Sequence, residues 1–290
     1  PQGNSLAHRT TWLRSDLFLS MVFAGAMLTG CGSSSATITA VTREEGSGTR
    51  GAFVELFGLE DADGNETISQ DTQTTNSTAV MITTVQGNEN AIGYISLGSL
   101  NDDVKAVQID GVDATAENIM NGTYKISRPF NIVTRTGDTD PITQDFITYI
   151  LSDEGQAVVT EEGYISEGSN GAYTAANLSG SITVGGSSSV TPVMEKLAEA
   201  YKALNPNVSI TVQQTDSTSG VTGATEGLLN IGMVSREVTS EELAGGLTSQ
   251  SIALDGIAVI VNTANDVENL TSDQVKQIYT KELTSWDEVK

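Results

Sequence analysis

Three segments of the chain repeat one order of features, and this repetition most constrains the fold. In each segment an apolar strand leads into a turn rich in glycine and hydroxyl side chains, and a helix with one apolar face follows. The turns lie at residues 42–50, 185–190 and 215–220. Strands that alternate with helices are typical of α/β sheets, in which ligands bind beyond the carboxyl ends of strands, where helices begin. The repetition therefore predicts an α/β fold with one ligand site, formed by several helix N-termini.

The first of these turns carries the side chains best suited to an anion. Ser47 precedes a helix whose apolar positions lie within residues 52–57, so it is a candidate N-cap. Gly46 and Gly48 allow the backbone to pass close to a bound group, at which the free N–H groups of the helix point. Arg43 adds a planar, permanently charged fork that suits a tetrahedral oxyanion. Taken alone, such a turn is also typical of any well-capped helix, so its recurrence matters.

Composition limits the partners. The chain has 290 residues, a formal net charge of −23 and 38% hydrophobic residues, enough for a substantial core and for two domains. The charge argues against nucleic acid and anionic membrane surfaces as partners. An anionic ligand must therefore be held by local dipoles and one or two arginines. The single cysteine excludes an internal disulfide.

The first 36 residues resemble the export leader and tether of a bacterial lipoprotein. An apolar run at residues 17–28 follows two arginines and is too short to span a bilayer as a helix. It ends in Leu-Thr-Gly-Cys, which resembles a lipobox in which Cys31 is lipidated; the alternative is a buried thiol in a short apolar helix. The only histidine, His8, lies in this leader, so we expect no histidine-based catalysis and no metal site in the mature protein.

The remaining patterns predict the order of elements. Strands are expected at residues 38–41, 90–97, 104–109, 182–184, 208–212, 231–237 and 256–261. Helices are expected at residues 116–121, 191–204 and 221–229, and a capping box at residues 271–274 opens another. The pattern at residues 143–162 is also helical, with a second helix restarting at residues 152–156. Residues 59–78 are expected to form a loop with a short helix, and residues 170–180 a polar linker.

Seven motifs of this chain occur together in one known family; they lie at residues 42–50, 91–94, 127–129, 151–156, 185–189, 231–237 and 270–286. With them the chain resembles the phosphate-binding protein of bacterial phosphate ABC transporters over residues 37–290. The order differs, because in that family the Gly-Ser-Ser-Ser unit opens the mature protein and the Arg-Glu-Glu-Gly-Ser-Gly-Thr unit comes later. The chain therefore looks circularly permuted, with the old ends joined near residues 178–181.

The resemblance implies a two-domain, type II periplasmic-binding-protein-like fold. One domain would comprise residues 37–128 plus 262–290, the other residues 129–261, and the crossings would lie at residues 127–134 and 256–261. It further implies a monomer without cofactor that binds inorganic phosphate outside the cytoplasm. The protein would be held at the cell membrane only by its lipid anchor and would deliver phosphate to membrane permease subunits.

The resemblance also implies roles for individual residues. The phosphate ligands would be Arg43, Ser47, Gly48, Thr49, Ser188, Ser189, Ser217 and Ser235. Glu45 would hold Arg43 in place, and Arg236 would pair with Glu237 or another neighbour. Better-known family members have an aspartate at the position of Ser235, and a carboxylate there accepts the proton that phosphate carries and sulfate lacks. Its replacement leaves Asp216 or a backbone carbonyl as the acceptor.

Three alternatives remain open. The site suits other tetrahedral oxyanions, such as sulfate or molybdate. A surface lipoprotein that senses or scavenges phosphate without a transporter has the same features. A phosphate-ester hydrolase with a serine nucleophile at a helix start is disfavoured, because the mature chain has no histidine, no metal cluster and no lysine beside a candidate serine.

Overall fold

The computed structural model describes residues 36–289. The predicted leader and the predicted lipidation site Cys31 lie outside the described residues. Within residues 36–289, none of the helices is long and apolar enough to cross a membrane.

Strands and helices alternate along the chain. The strands are β1 (Thr39–Arg43), β2 (Gln73–Thr75), β3 (Ala91–Ser96), β4 (Val104–Ala106), β5 (Gln108–Ile109), β6 (Ser127–Arg135), β7 (Gly180–Ser187), β8 (Val208–Thr215), β9 (Ile231–Val234), β10 (Leu247–Asn262) and β11 (Asn269–Leu270). The helices are α1 (Gly48–Leu56), α2 (Thr78–Gln86), α3 (Ala116–Met120), α4 (Pro141–Ile150), α5 (Asp153–Glu161), α6 (Thr191–Leu204), α7 (Ser217–Glu226), α8 (Ser240–Ala244) and α9 (Ser272–Tyr279).

One mixed sheet runs through the molecule in the order β2-β1-β3-β10-β6-β9-β7-β8, and β4 also pairs with β10. The outer pairs β1–β2, β1–β3, β7–β8 and β7–β9 are parallel, as expected where helices connect the strands. The central strands β6 and β10 are antiparallel, from Ser127 opposite Gly256 to Arg135 opposite Leu247. Beyond Gly256, β10 pairs with β3. The two long strands therefore connect the two halves of the sheet.

Each half of the sheet has its own hydrophobic core. We call the part of the molecule around Phe53, Tyr94 and Tyr279 the first lobe, and the part around Phe146 and Tyr201 the second lobe. The rings of Phe53 and Tyr94 stack with centroids 3.9 Å apart, and Tyr279 packs edge-on against Phe53. Together the lobes form a mixed α/β, two-domain periplasmic-binding-protein-like fold.

The domain boundaries at residues 128 and 262 stay a prediction. The apolar residues 257, 259 and 261 of β10 belong to the core of the first lobe, and Phe130 and Ile132 of β6 belong to that of the second. In terms of packing, β10 thus passes between lobes near Gly256.

Most predicted elements are present, with differences at particular turns. The helix predicted over residues 191–204 and the caps Ser47 and Thr271 are confirmed. Helix α7 begins at Ser217, four residues before the predicted start, because the Asp216 side chain accepts from the Ser219 N–H and caps it. Residues 59–77 contain strand β2 instead of the predicted short helix, and α8 was not predicted.

The buried hydroxyl of Tyr94 links two strands of the first lobe. Its hydroxyl lies 2.7 Å from the Thr42 hydroxyl and accepts from the Arg43 N–H at 3.1 Å. Burial raises the pKa of Tyr94 to about 12. Because the unfolded chain ionises this phenol near its ordinary pKa, its contribution to stability is present below pH 10 and is lost as the pH rises toward 12.

We therefore expect Tyr94→Phe to lower the free energy of unfolding at neutral pH by about 1–2 kcal/mol through the lost hydrogen bonds. Between pH 10 and 12, stability of the native protein should fall by about 2–3 kcal/mol more than that of the variant. Urea unfolding across this pH range measures both. Parallel curves for the two proteins would contradict the expectation.

Candidate functional site

The N-termini of four helices meet where the two lobes face each other. Thr49 and Thr78 lie in the first turns of α1 and α2 in the first lobe, and Ser188 and Ser189 precede α6 in the second. The Thr49 hydroxyl lies 2.8 Å from that of Ser189, and the Thr78 hydroxyl lies 3.3 Å from those of Ser188 and Ser189. All four side chains are buried. A shared, dehydrated cluster of hydroxyls thus joins the lobes.

Two more serines complete the wall contributed by the second lobe. Ser217 opens α7, and Ser235 directly follows β9; their hydroxyls lie 3.3 Å apart. The Ser235 N–H donates to the Ser217 hydroxyl at 3.0 Å, and Ser187, at the end of β7, donates to the Ser235 hydroxyl at 2.9 Å. We call hydroxyl cluster the set Thr49, Thr78, Ser187, Ser188, Ser189, Ser217 and Ser235.

Gly48 allows the lobes to approach this closely. A Cβ atom at this position would lie 2.3 Å from the Ser217 hydroxyl oxygen and 2.7 Å from that of Ser235. Such distances are far inside van der Waals contact, so only glycine fits there. The N–H groups at the start of α1 consequently lie against the hydroxyl cluster.

Arg43 is the cation of the site. Its side chain is 2% exposed, and its Nη2 donates to the Ser188 hydroxyl at 2.9 Å. Glu44 accepts from Arg43 Nε at 2.8 Å and from Nη2 at 2.7 Å. The prediction that Glu45 holds Arg43 is therefore wrong. Strand β1 ends at Arg43, so the turn directs Glu44 back to the guanidinium and leaves Glu45 exposed.

The other two predicted supporting residues lie beside the hydroxyl cluster without bonding to it. Asp216 directs its carboxylate to the Ser219 N–H at 2.9 Å and the Ser219 hydroxyl at 2.6 Å. Arg236 forms an ion pair with Glu242 at 2.7 Å. Its bond to Glu237 goes to the backbone carbonyl and not to the carboxylate. Asp216 thus serves as a helix cap and Arg236 as a structural ion pair.

The electrostatics of the site come mainly from dipoles. Each helix start carries a partial positive charge, and four of them point at the hydroxyl cluster. Within residues 36–289, the seven cluster hydroxyls form hydrogen bonds with hydroxyls, backbone groups and Arg43, and with no carboxylate. Because Glu44 balances Arg43, the site can stabilise an anion without a net formal charge of its own.

Of the predicted ligands, the structure brings together Arg43, Gly48, Thr49, Ser188, Ser189, Ser217 and Ser235. Ser47 lies next to them, and its hydroxyl caps α1 by accepting from the Arg50 N–H at 3.3 Å. Their binding roles stay predictions. The sequence reasoning missed Thr78 and Ser187. Ser77-Thr78 before an apolar run was the available signal, since it is a typical helix start.

The chain matches known proteins over most of its length. A family model described as a PBP superfamily domain matches residues 9–154 and 171–290. The phosphate-binding protein PstS 2 of Streptococcus agalactiae is 50% identical over 272 residues, which cover 92% of this chain and 93% of that protein. The chain belongs to the phosphate-binding protein family.

Two further relatives match this chain, one over most of its length and one over part of it. The crystal structure of a phosphate-binding protein of a phosphate ABC transporter from Streptococcus pneumoniae is 45% identical, with a TM-score of 0.70, over 88% of this chain and 100% of that one. The PstS protein of Bacillus subtilis is 35% identical over 115 residues, which cover 38% of either chain.

A backbone contact beside the hydroxyl cluster joins the lobes of this family member. The carbonyl of Gly46, in the first lobe, accepts from the N–H of Thr218 at 3.1 Å and from its hydroxyl at 3.2 Å. Gly46 has a φ of +85°, and a Cβ on it would lie 2.6 Å from Asp216 Oδ1. A side chain at residue 46 would therefore force the two turns apart.

We expect Gly46→Ala to weaken this contact. Gly64 provides a matched control, because its φ is +79° and a Cβ there meets no atom within 4 Å. Both substitutions should lower the free energy of unfolding by about 1–2 kcal/mol through backbone strain. Only Gly46→Ala should also accelerate hydrogen exchange of the Thr218 amide. Equal exchange rates in the two variants would mean that the contact does not hold the lobes.

Proposed function

We propose that this protein binds inorganic phosphate in the hydroxyl cluster between its lobes and delivers it to the permease subunits of an ABC transporter. The observation that carries the proposal is the convergence of four helix N-termini and Arg43 on one buried set of hydroxyls. The names of the relatives from Streptococcus support phosphate as the anion and transport as the purpose.

The proposed mode of binding follows from the donors available. Serine and threonine hydroxyls, together with free N–H groups at the helix starts, surround an oxyanion with short hydrogen bonds and exclude water. Arg43 supplies a charge-assisted bond from its Nη2, which already reaches the Ser188 hydroxyl. Because these groups are held by helices and by Glu44, little ordering is needed when the anion enters.

The protonated oxygen of phosphate needs an acceptor. Both carboxylate oxygens of Asp216 bond to Ser219, so we favour oxygen atoms inside the cluster over Asp216. A hydroxyl oxygen accepts as well as donates, and the Ser235 hydroxyl lies at the centre of the wall formed by the second lobe. Preference for phosphate over sulfate or molybdate would then rest on how the hydroxyl hydrogens are oriented.

We further propose that the protein is a monomeric binder and not an enzyme, and that it works outside the cytoplasm on a lipid anchor at Cys31. The names of the relatives, which describe phosphate-binding proteins, support a binder and not an enzyme. A chromogenic phosphate ester separates this from the hydrolase alternative, since a binder should release no product at any protein concentration.

Removing Arg43 tests the binding site directly. We expect the native protein to bind one phosphate per chain, and Arg43→Ala to weaken binding by about 2–4 kcal/mol, the scale for loss of a buried charged partner. Arg135→Ala is the control, because Arg135 is exposed at the far end of β6. Isothermal titration calorimetry with phosphate, sulfate and arsenate measures the effect. Sulfate binding as tight as phosphate binding would reject the assignment.

We also infer that the order of segments is a circular permutation of the order found in other family members. The chain matches the relative from S. agalactiae over 272 residues, so the two share one order of segments, but it matches the protein from B. subtilis over only 115. A different order in the second protein would produce such a short match. The geometry is compatible: Ile38 N donates to Thr284 O at 2.8 Å and Trp286 N to Ala36 O at 2.9 Å. The old ends would be joined in the irregular segment before β7, where Ser179 is exposed.

A reordered chain tests this inference. Joining residue 289 to residue 36 through a short glycine-rich linker and opening the chain at Ser179 should preserve the fold, because residues 36 and 286 are hydrogen-bonded and Ser179 is exposed. We expect phosphate affinity within about threefold of the native value, measured by calorimetry. Opening the chain between residues 256 and 257 is the control, since it divides β10. A reordered protein that does not fold would contradict the inference.

A further inference from the structure

A buried ion pair lies where the two long strands cross between the lobes. Arg128 of β6 stands opposite Asp255 of β10, and Arg128 Nη2 lies 3.0 Å from Asp255 Oδ2. The side chains are 3% and 1% exposed. Burial raises the pKa of Asp255 and lowers that of Arg128, so each charge depends on the other.

Each partner also reaches into a different lobe. Asp255 Oδ1 accepts from the Ser96 hydroxyl at 2.9 Å, at the end of β3 in the first lobe. Arg128 Nη1 donates to the backbone carbonyl of Ser235 at 2.9 Å, at the end of β9 in the second lobe. One guanidinium fork therefore connects the crossing strands to a residue of the hydroxyl cluster.

This bond fixes the remaining polar group of Ser235. Its N–H is held by Ser217 and its hydroxyl accepts from Ser187, so the carbonyl is the third point of attachment. Ser235 is fully buried and follows the last residue of β9. Three attachments restrain the backbone at this residue, and the direction of its hydroxyl depends on that backbone.

We propose that Arg128 is a positioning residue of the anion site: held by Asp255, it fixes the Ser235 carbonyl and thereby sets where the Ser235 hydroxyl meets the bound anion. The proposal rests on the proposed phosphate binding. Among residues 36–289, Arg128 hydrogen-bonds to the cluster only at this carbonyl, so it acts through Ser235.

The fork geometry matters more than the charge. Nη1 and Nη2 of one planar group serve two acceptors at fixed directions, and the Arg128 Cζ lies 5.1 Å from the ring centre of Phe130. Lysine carries the same charge but has a single nitrogen and no planar face. Arg128→Lys therefore keeps a positive charge beside Asp255. Its single nitrogen loses either the bond to the Ser235 carbonyl or the bond to the Asp255 carboxylate.

A double-mutant cycle tests the proposal on the full chain. We expect Arg128→Lys and Ser235→Ala each to weaken phosphate binding by about tenfold, and the double variant to bind no more weakly than either single variant. Arg135→Lys, on the same strand and exposed, is the matched control and should bind as the native protein does. Calorimetry measures affinity, and hydrogen exchange of the Ser235 amide should be faster in Arg128→Lys.

The outcomes separate a positioning role from a merely structural one. Native phosphate affinity in Arg128→Lys, or losses that simply add in the double variant, would overturn the proposal. Should Arg128→Lys not fold, Arg128→Met combined with Asp255→Leu removes both buried charges and should fold while binding as weakly as Ser235→Ala. If the native protein binds no phosphate, the proposed function fails, and an unchanged Ser235 exchange rate in these variants would still reject the role of Arg128.

Discussion

The negative charge of an anion enclosed between the lobes has to be stabilised by groups that together carry no net charge. The chain as a whole has a formal charge of −23, and the guanidinium of Arg43, which bonds to the hydroxyl cluster, is balanced by Glu44. What remains is the positive end of four helices and the polarity of hydroxyls. These are short-range sources, effective only when they surround the ion closely. The fold must therefore bring distant segments within hydrogen-bond distance of one point, and the paired lobes do so.

The two long strands make this convergence possible. β6 and β10 are paired along nearly the whole length of β6, so the lobes are joined by two adjacent, hydrogen-bonded connections. Such a connection allows bending while it limits sliding and rotation. Arg128 and Asp255 lie in this region, and one of their bonds ends on Ser235. Changes in the angle between the lobes and changes in the site therefore involve the same few atoms.

Much of the fold followed from the sequence because it depends on local patterns. The helix at residues 191–204 and the caps at Ser47 and Thr271 are set by apolar periodicity and by side chains within three residues of the helix start. The early start of α7 was missed because Asp216 was taken for part of a turn, although aspartate is equally a cap.

The site was only partly predictable for a different reason. Arg43 and the serines stood out through the repeated turns at helix starts and through the family resemblance, but the choice between Glu44 and Glu45 depended on where β1 ends. The contacts that join Thr78 and Arg128 to the cluster span 110 and 107 residues, and those of Arg128 with Asp255 span 127. Local sequence can indicate a helix start such as Thr78, but not which distant residue it meets. The split of the first lobe across the chain also affects synthesis on the ribosome. Tyr279, which packs on Phe53, emerges after the whole second lobe. Until Tyr279 emerges, the apolar core of the first lobe is incomplete. The nascent chain must therefore shield this apolar surface while the second lobe folds first.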